Sequence, residues 1–357
     1  MGNRKIRLWV ISAAACFAFV LSACCGAGKS AQAAAGESAA GESAAEKSAI
    51  VYDIPAEKLI VRDPFVFADK KSGKYYIHAN GSKLTDEQIR KFGHGRNALY
   101  AFESADLKNW RLVGASFVPT PDFWGKSDFW APDMFFIDGK YFIIATFSAQ
   151  NSSIKNIYGE TVPMRGSSVL VSDKPDRDFK PLVNAPITPK DYMALDATVF
   201  EDADGSFWLL YCREWVQIAD GQMIAQKISR DLKKTLSDPI VLFKASDANW
   251  IKEKRDTYVT DAPVVNRLAD GSLYMTWSSF AGGKYRIGVA RSPSGKIDGK
   301  WIHDDKPLNE DDGGHAMVFK SFDGKTKISY HAPNSKTETL TIRDFKYENG
   351  KFVISDK

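Results

Sequence analysis

Cysteine is nearly absent from this chain of 357 residues: there are four, at positions 16, 24, 25 and 212. Only Cys212 lies beyond the first 25 residues, which excludes an internal disulfide framework. Inside WLLYCREW it reads as a small buried hydrophobe. An excess of one charge is also missing. The 48 Lys and Arg are interspersed with 44 Asp and Glu, so the net charge of +4 gathers into no basic patch, and a nucleic-acid partner is excluded. No long amphipathic helical pattern occurs, which leaves strands to build the core. CCGAGKS imitates the end of a phosphate-binding loop, but Ala23 stands where the first glycine belongs and no strand precedes it.

The single long apolar run is at the start. MGNRKIRLWVISAAACFAFVLSACCG has a basic beginning, an apolar stretch from Leu8 and small residues before a cysteine, the pattern of an export leader. LSAC, ending at Cys24, resembles the lipobox of bacterial lipoproteins and implies lipidation of Cys24. Ordinary cleavage near Ala23 and an uncleaved anchor are the alternatives. Residues 1–24 are thus expected to be a leader and 25–50, with its Gly-Glu-Ser-Ala-Ala repeats, a flexible tether. The folded part would be held outside the cytoplasm, periplasmic or at the cell surface, touching a membrane only through its lipid.

Aromatics, by contrast, are abundant: 12% of the chain, with nine Trp. Most are expected to pack in the core, while some suit a surface that stacks on sugar rings. From residue 51 onward one unit recurs five times: RDPFVFADKKSGKYYIHA, APDMFFIDGKYFIIATF, LDATVFEDADGSFWLLY, TDAPVVNRLADGSLYMTW and GGHAMVFKSFDGKTKISY. Each reads as a small polar cluster, an apolar strand, a Gly-containing turn and an aromatic-rich second strand, that is, a β-hairpin. The units begin roughly 52 to 70 residues apart, room for four strands each. An all-β, five-bladed β-propeller over residues 51–357 follows, with a β-sandwich as the rival. LTIRDFKYENGKFVIS is expected to supply the outer strands of the last blade, and SAIVYDI to close the ring.

In a propeller the residues entering the innermost strands surround one mouth of the channel. Asp63, the Trp130-Ala131-Pro132 segment, Asp196, Asp261 and His315 are therefore expected to form a ring. Glu214, at the far end of the third hairpin, returns to the same mouth. Each aspartate taken alone reads as a turn residue, but their convergence points to chemistry, because like charges placed together raise one another's pKa and cost stability. Trp130, Phe129 and Trp215 flank the ring as a sugar platform, with Trp124 and Trp250 as further rim candidates.

These motifs resemble glycoside hydrolase family 43, extracellular five-bladed propellers that remove arabinose, xylose and related sugars from polysaccharides. RDPFVF, FWAPDM, LDATVF and GGHAMVF match its blade motifs. The resemblance implies that Asp63 is the general base and that Asp196 orients the acid and tunes its pKa. It further implies that His315 binds substrate or sits above a calcium or sodium ion held through water, with no cofactor required. Where the family carries a glutamate before Gly-Pro, this chain has VTDAPVV, so the acid is either Asp261 or Glu214, with Glu214 favoured. The implied activity is inverting release of α-L-arabinofuranosyl, β-D-galactofuranosyl or β-xylosyl units from an oligo- or polysaccharide, and a monomer is expected. The bulky insertions at 81–97, 120–130 and 149–166 suggest a closed pocket and exo action, whereas endo action on a linear chain would need an open cleft. A non-catalytic sugar-binding propeller is the alternative.

Overall fold

The structure is a computed structural model that describes residues 51–335 and 337–355. The expected leader, the lipidated Cys24 and the tether lie outside the described residues. Five antiparallel sheets follow one another along the chain as the blades of a propeller. Blade one contains β1 (Ile54–Pro55), β2 (Phe67–Asp69), β3 (Lys74–Asn80), β4 (Leu99–Ser104) and β5 (Asn109–Phe117). Blade two contains β6 (Gly125–Ile137), β7 (Lys140–Lys155), β8 (Thr161–Ser172) and β9 (Lys180–Pro181). β10 (Ala194–Glu201), β11 (Phe207–Arg213), β12 (Gln222–Ile228) and β13 (Ile240–Lys244) make blade three. β14 (Asp261–Arg267), β15 (Leu273–Ala281), β16 (Lys284–Ser292) and β17 (Ile302–His303) make blade four. β18 (Gly314–Lys320), β19 (Thr326–Ala332), β20 (Thr339–Glu348) and β21 (Lys351–Ile354) make blade five. Two short helices, α1 (Asp86–Phe92) and α2 (Trp215–Ile218), interrupt the strands.

The hairpin turns follow the expected grammar with one refinement. In blades three, four and five the loop is longer than two residues, with only the glycine left-handed: Gly205, Gly271 and Gly324 have φ of 79°, 86° and 80°. Their amides bond Asp202 O, Leu268 O and Ser321 O. A glycine costs little steric strain in this conformation. Asp138-Gly139, where both φ are positive, is the two-residue form.

The core lies between blades, where the apolar faces of neighbouring sheets meet: Tyr100, Trp110, Phe117 and Phe147 between blades one and two, and Trp208, Trp250 and Trp277 between blades three and four. Ring closure differs from the sequence expectation. Ile54 pairs with Trp110 on the outer edge of blade one, so this segment widens that blade. The chain is instead closed by residues 59–61: Val61 N–H donates to Glu338 O, and Leu340 N–H donates to Leu59 O. The apolar residues that seal against the core are Leu59 and Val61, both buried.

Candidate active site

The innermost strands of blades two to five share one irregularity. In blade three Leu195 pairs with Cys212 and Thr198 with Leu210. In blade four Asp261 pairs with Ser278 and Val264 with Thr276. Blades two and five repeat this at Trp130/Asp133 and Gly314/Met317. Three residues on one strand thus advance against two on the other, a one-residue bulge. The residue after the first pair is left-handed in every case: Ala131 (φ 44°), Asp196 (55°), Ala262 (55°) and His315 (57°), with Asp63 (55°) at the matching place in blade one. Residues other than glycine rarely adopt this conformation, so its fivefold recurrence at one mouth marks a device for aiming side chains.

Three ring amides are satisfied in the same way. Asp196 N–H donates to Thr146 Oγ1 at 2.9 Å, His315 N–H to Ser278 Oγ at 2.9 Å, and Asp63 N–H to His331 Nδ1 at 3.3 Å. Each acceptor sits on the second strand of the preceding blade, opposite the residue before the bulge. Blade three has Cys212 there, and the Ala262 N–H donates to Asp196 Oδ2 instead, at 3.1 Å. The ring expected from sequence is corrected accordingly. Ala262 occupies the position equivalent to Asp63 and Asp196, and Asp261 precedes it.

Asp63 is buried, with Oδ1 at 3.1 Å from His315 Nδ1, 3.5 Å from His331 Nδ1 and 3.7 Å from Arg62 Nε. Burial pushes its carboxyl up, but His315, Arg62 and His331 together outweigh it and hold it well below the usual carboxylate range. Burial opposes charge on His315 as well, yet Asp63 and Asp196 beside it carry its pKa up to about 10. The ring is therefore an imidazolium at neutral pH, its Nδ1–H donating to Asp63. His331 is neutral, pushed down by burial to about 4. Its Nδ1 accepts from the Asp63 amide, so Nε2 carries the hydrogen, 3.4 Å from Asn334 Oδ1.

The remaining carboxyls are shifted the other way. Burial pushes Asp196 well up and outweighs the His315 charge, with Asp261 adding to the rise by repulsion. Asp261 is raised by burial too, although Tyr285 O–H donates to its Oδ2 at 2.9 Å. Tyr285 stacks on His331 and presses so closely on Gly314 that a Cβ there would overlap its ring. Glu214 lies at the cap of α2, straight after β11, and the pairing of Cys212 with Leu195 brings it back to the mouth as expected. Both its oxygens approach Arg165 Nη1, at 2.5 and 2.6 Å. Burial raises its pKa, Arg165 opposes the rise, and Asp261 and Asp128 reinforce it.

Some expected contacts are absent. Phe129 is fully buried among Phe117 and Phe147, where no sugar can reach it, and Trp250 packs inside against Trp277. Their apolar rings fill the space between sheets, which a motif adjacent to the ring cannot reveal. Trp130 and Trp215 are half-buried, and the Trp130 ring supports the Arg165 guanidinium at 4.4 Å. Trp124, another rim candidate, donates its indole N–H to Ser168. Arg62, Asp63, Asn80, Lys83 and Trp130 line a small pocket of about 50 Å³ between blades one and two. A larger cavity of about 370 Å³ among the far ends of the inner strands is lined by Phe65, Phe67, Phe135 and Phe319 and includes none of the ring carboxyls.

Arg165, Asp133, Tyr285 and His331 escaped the sequence reading. Asp133 is a buried carboxyl raised to about 7 by burial, which outweighs the pull of His315. His331, in SYHAPN, was discoverable by counting the fifth hairpin's register back from its turn to the residue opposite Gly314. Arg165 carried no such signal, because its partner Glu214 lies in the next blade. The ion implied beside His315 is one held through water; His315 Nδ1 faces Asp63 and Asp196, and among the described residues no group of three or more His, Cys, Asp or Glu is disposed to hold a metal directly.

The family model described as Glycosyl hydrolases family 43 matches residues 52–352. A probable arabinan endo-1,5-alpha-L-arabinosidase A of Emericella nidulans is 26% identical over 174 residues, which is 46% of this chain and 45% of that protein. The match thus spans less than half of that curated relative's length. The crystal structure of an endo-arabinase from Bacteroides thetaiotaomicron VPI-5482 superposes with a TM-score of 0.75 at 43% identity, covering 85% of this chain and all of that one. A thermostable family-43 glycoside hydrolase has the same fold at 22% identity, with a TM-score of 0.71 over 86% of this chain and 96% of its own.

Proposed function

The chain belongs to glycosyl hydrolases family 43, and from that premise we propose that it hydrolyses α-L-arabinofuranosyl linkages by single displacement with inversion. One observation carries the reading. Around one mouth, Asp63 is pushed down and kept ionised while Glu214 is pushed up toward its protonated form. Carboxyls driven apart in this way mark a base and an acid. Asp63 takes a proton from water, whose oxygen attacks the anomeric carbon. The bond to the leaving oxygen breaks on the opposite face, and Glu214 gives that oxygen its proton. Inverting hydrolysis needs the two carboxyls ~6.5–9.5 Å apart to admit the water. His315 and His331 hold the base, and Asp261 and Asp128 supply the repulsion that favours the proton on Glu214.

The arabinofuranosyl choice is supported by relatives described as arabinanases; galactofuranosyl and xylosyl units are the alternatives. Burial of Asp63, Asp196 and Glu214 favours release of single terminal sugars. The endo-acting names of the relatives favour a second reading, cleavage within an arabinan chain. Catalysis is favoured over a sugar-binding role by the hydrolytic names of these relatives. The expected export leader would present the enzyme to polysaccharide outside the cytoplasm.

Incubation with linear arabinan and chromatography of the products separates the modes: monosaccharide alone from the earliest times is expected, and early oligosaccharides would establish the endo mode. Glu214→Gln should lose most activity on substrates with poor leaving groups and retain more on an activated aryl glycoside. Asp63→Asn should lose both. If Asp261→Asn shows the leaving-group dependence and Glu214→Gln does not, Asp261 is the acid.

A further inference from the structure

Arg165, on β8, is held from several sides. Beyond its contacts with Glu214, its Nη2 lies 3.5 Å from Asp128 Oδ2, its Nε–H donates to Ser148 Oγ at 3.3 Å, and its face lies over Trp130. Ser148 O–H in turn donates to Asp128 Oδ2 at 2.5 Å. One guanidinium therefore faces two carboxyls, Glu214 closely and Asp128 more loosely. A lone guanidinium at this distance would strip the proton from a carboxyl. With Asp128 ionised, the cluster is neutral when Glu214 carries its proton and negative when Glu214 loses it.

We propose that Arg165 is the positioning residue for Glu214 and that Asp128 supplies the counter-charge that lets Glu214 keep its proton beside a guanidinium. The proposal rests on the reading of Glu214 as the proton donor. The other groups facing Glu214 agree with it: Asp261, on β14, repels the ionised form, and the Cys212 thiol on β11, raised by burial, is uncharged at neutral pH. Trp130 shields one face of the guanidinium and keeps the planar group in register, a role that a lysine ammonium cannot fill.

The test is the pH profile of kcat/KM, whose alkaline limb reports the acid of the free enzyme. Asp128→Asn leaves Arg165 with Glu214 as its only carboxylate, so the alkaline limb should move down by about one pH unit while activity at lower pH is retained. Arg165→Met should move the limb up and lower kcat on poor leaving groups by ~10–100-fold at every pH. Arg165→Lys should return the limb toward that of the wild type without restoring kcat. An unmoved limb in Asp128→Asn overturns the counter-charge, and an unchanged kcat in Arg165→Met overturns the positioning role. Should Arg165→Met fail to fold by circular dichroism, Arg165→Lys and Asp128→Asn decide the matter. Glu214→Gln, assayed on both classes of leaving group, tests the underlying reading separately. Leaving-group dependence there with unmoved limbs sinks only the present inference.

Discussion

At the scale of single residues, the site is built by holding a few backbones in an unfavoured conformation. Five non-glycine residues at equivalent places take positive φ, which costs on the order of 1 kcal/mol or more each. The amides of Asp63, Asp196 and His315 are then tied to the second strand of the preceding blade, and the departure at Ala262 is informative. Cys212 stands where Thr146, Ser278 and His331 accept a bond, so the Ala262 amide is free to hold Asp196. Cys212→Ser introduces a hydroxyl that competes for that amide. A fall in kcat/KM of roughly tenfold, about 1.4 kcal/mol, is expected, with little loss of thermal stability. Cys212→Ala offers no acceptor and should keep near-native kinetics. Equal kinetics for the two variants would show that the bond to Asp196 is not what matters.

At the scale of elements, β7 and β8 stand out. They run to Lys155 and Thr161, well past the residues that pair within the blade, and form an arm. The arm reaches the next blade, where Ile157 N–H donates to Val216 O at 2.9 Å, in the helix that Glu214 caps. Within residues 149–166 antiparallel pairing continues through Ser153, Ile154 and Lys155 after a register break at Ser148. Replacing residues 150–163 with an Asn-Gly turn should leave the melting temperature within a few degrees, because most of the arm is exposed. It should lower kcat/KM severalfold, since the Glu214 segment loses an anchor. Unchanged kinetics would mean that α2 is held without the arm.

At the scale of the whole molecule, buried histidines contribute to the pH dependence of stability. His78, between Ser116 Oγ and Pro175 O, is pushed down by burial from 6.5 to about 4, and His331 likewise. Between about pH 4 and 6.5 the unfolded chain binds protons at these sites that the native chain refuses, so stability falls as pH falls through that window. For His78 alone the effect reaches about 3 kcal/mol at most. His315 acts in the opposite sense. Its raised value of about 10 means that the native state binds the extra proton, so its contribution is complete below 6.5 and is lost as pH rises toward 10. In thermal melts the His78 and His331 contributions should therefore fall away below about pH 6.5 and that of His315 above it. His78→Gln should flatten the acid side, and an unchanged acid slope would remove His78 from this account.

The propeller, its five hairpins and the candidates Asp63, Asp196, Glu214, Asp261 and His315 were legible in the sequence, because a repeated strand-turn-strand pattern converts order along the chain into position around an axis. Hairpin register is local: turn chemistry and period 2 determine which residue faces which, and so Glu214 could be returned to the mouth of Asp196. What only the tertiary structure decided lies between blades. Phe129 sits beside the ring in sequence but is drawn into the inter-sheet core, where burying an aromatic face outweighs exposing it. Arg165 meets Glu214, His331 meets Asp63 and Tyr285 meets Asp261 across separations or blade boundaries that no local pattern encodes. The charge states follow from those meetings, since the pKa of a buried group depends on its spatial neighbours, and these are settled only when the sheets pack.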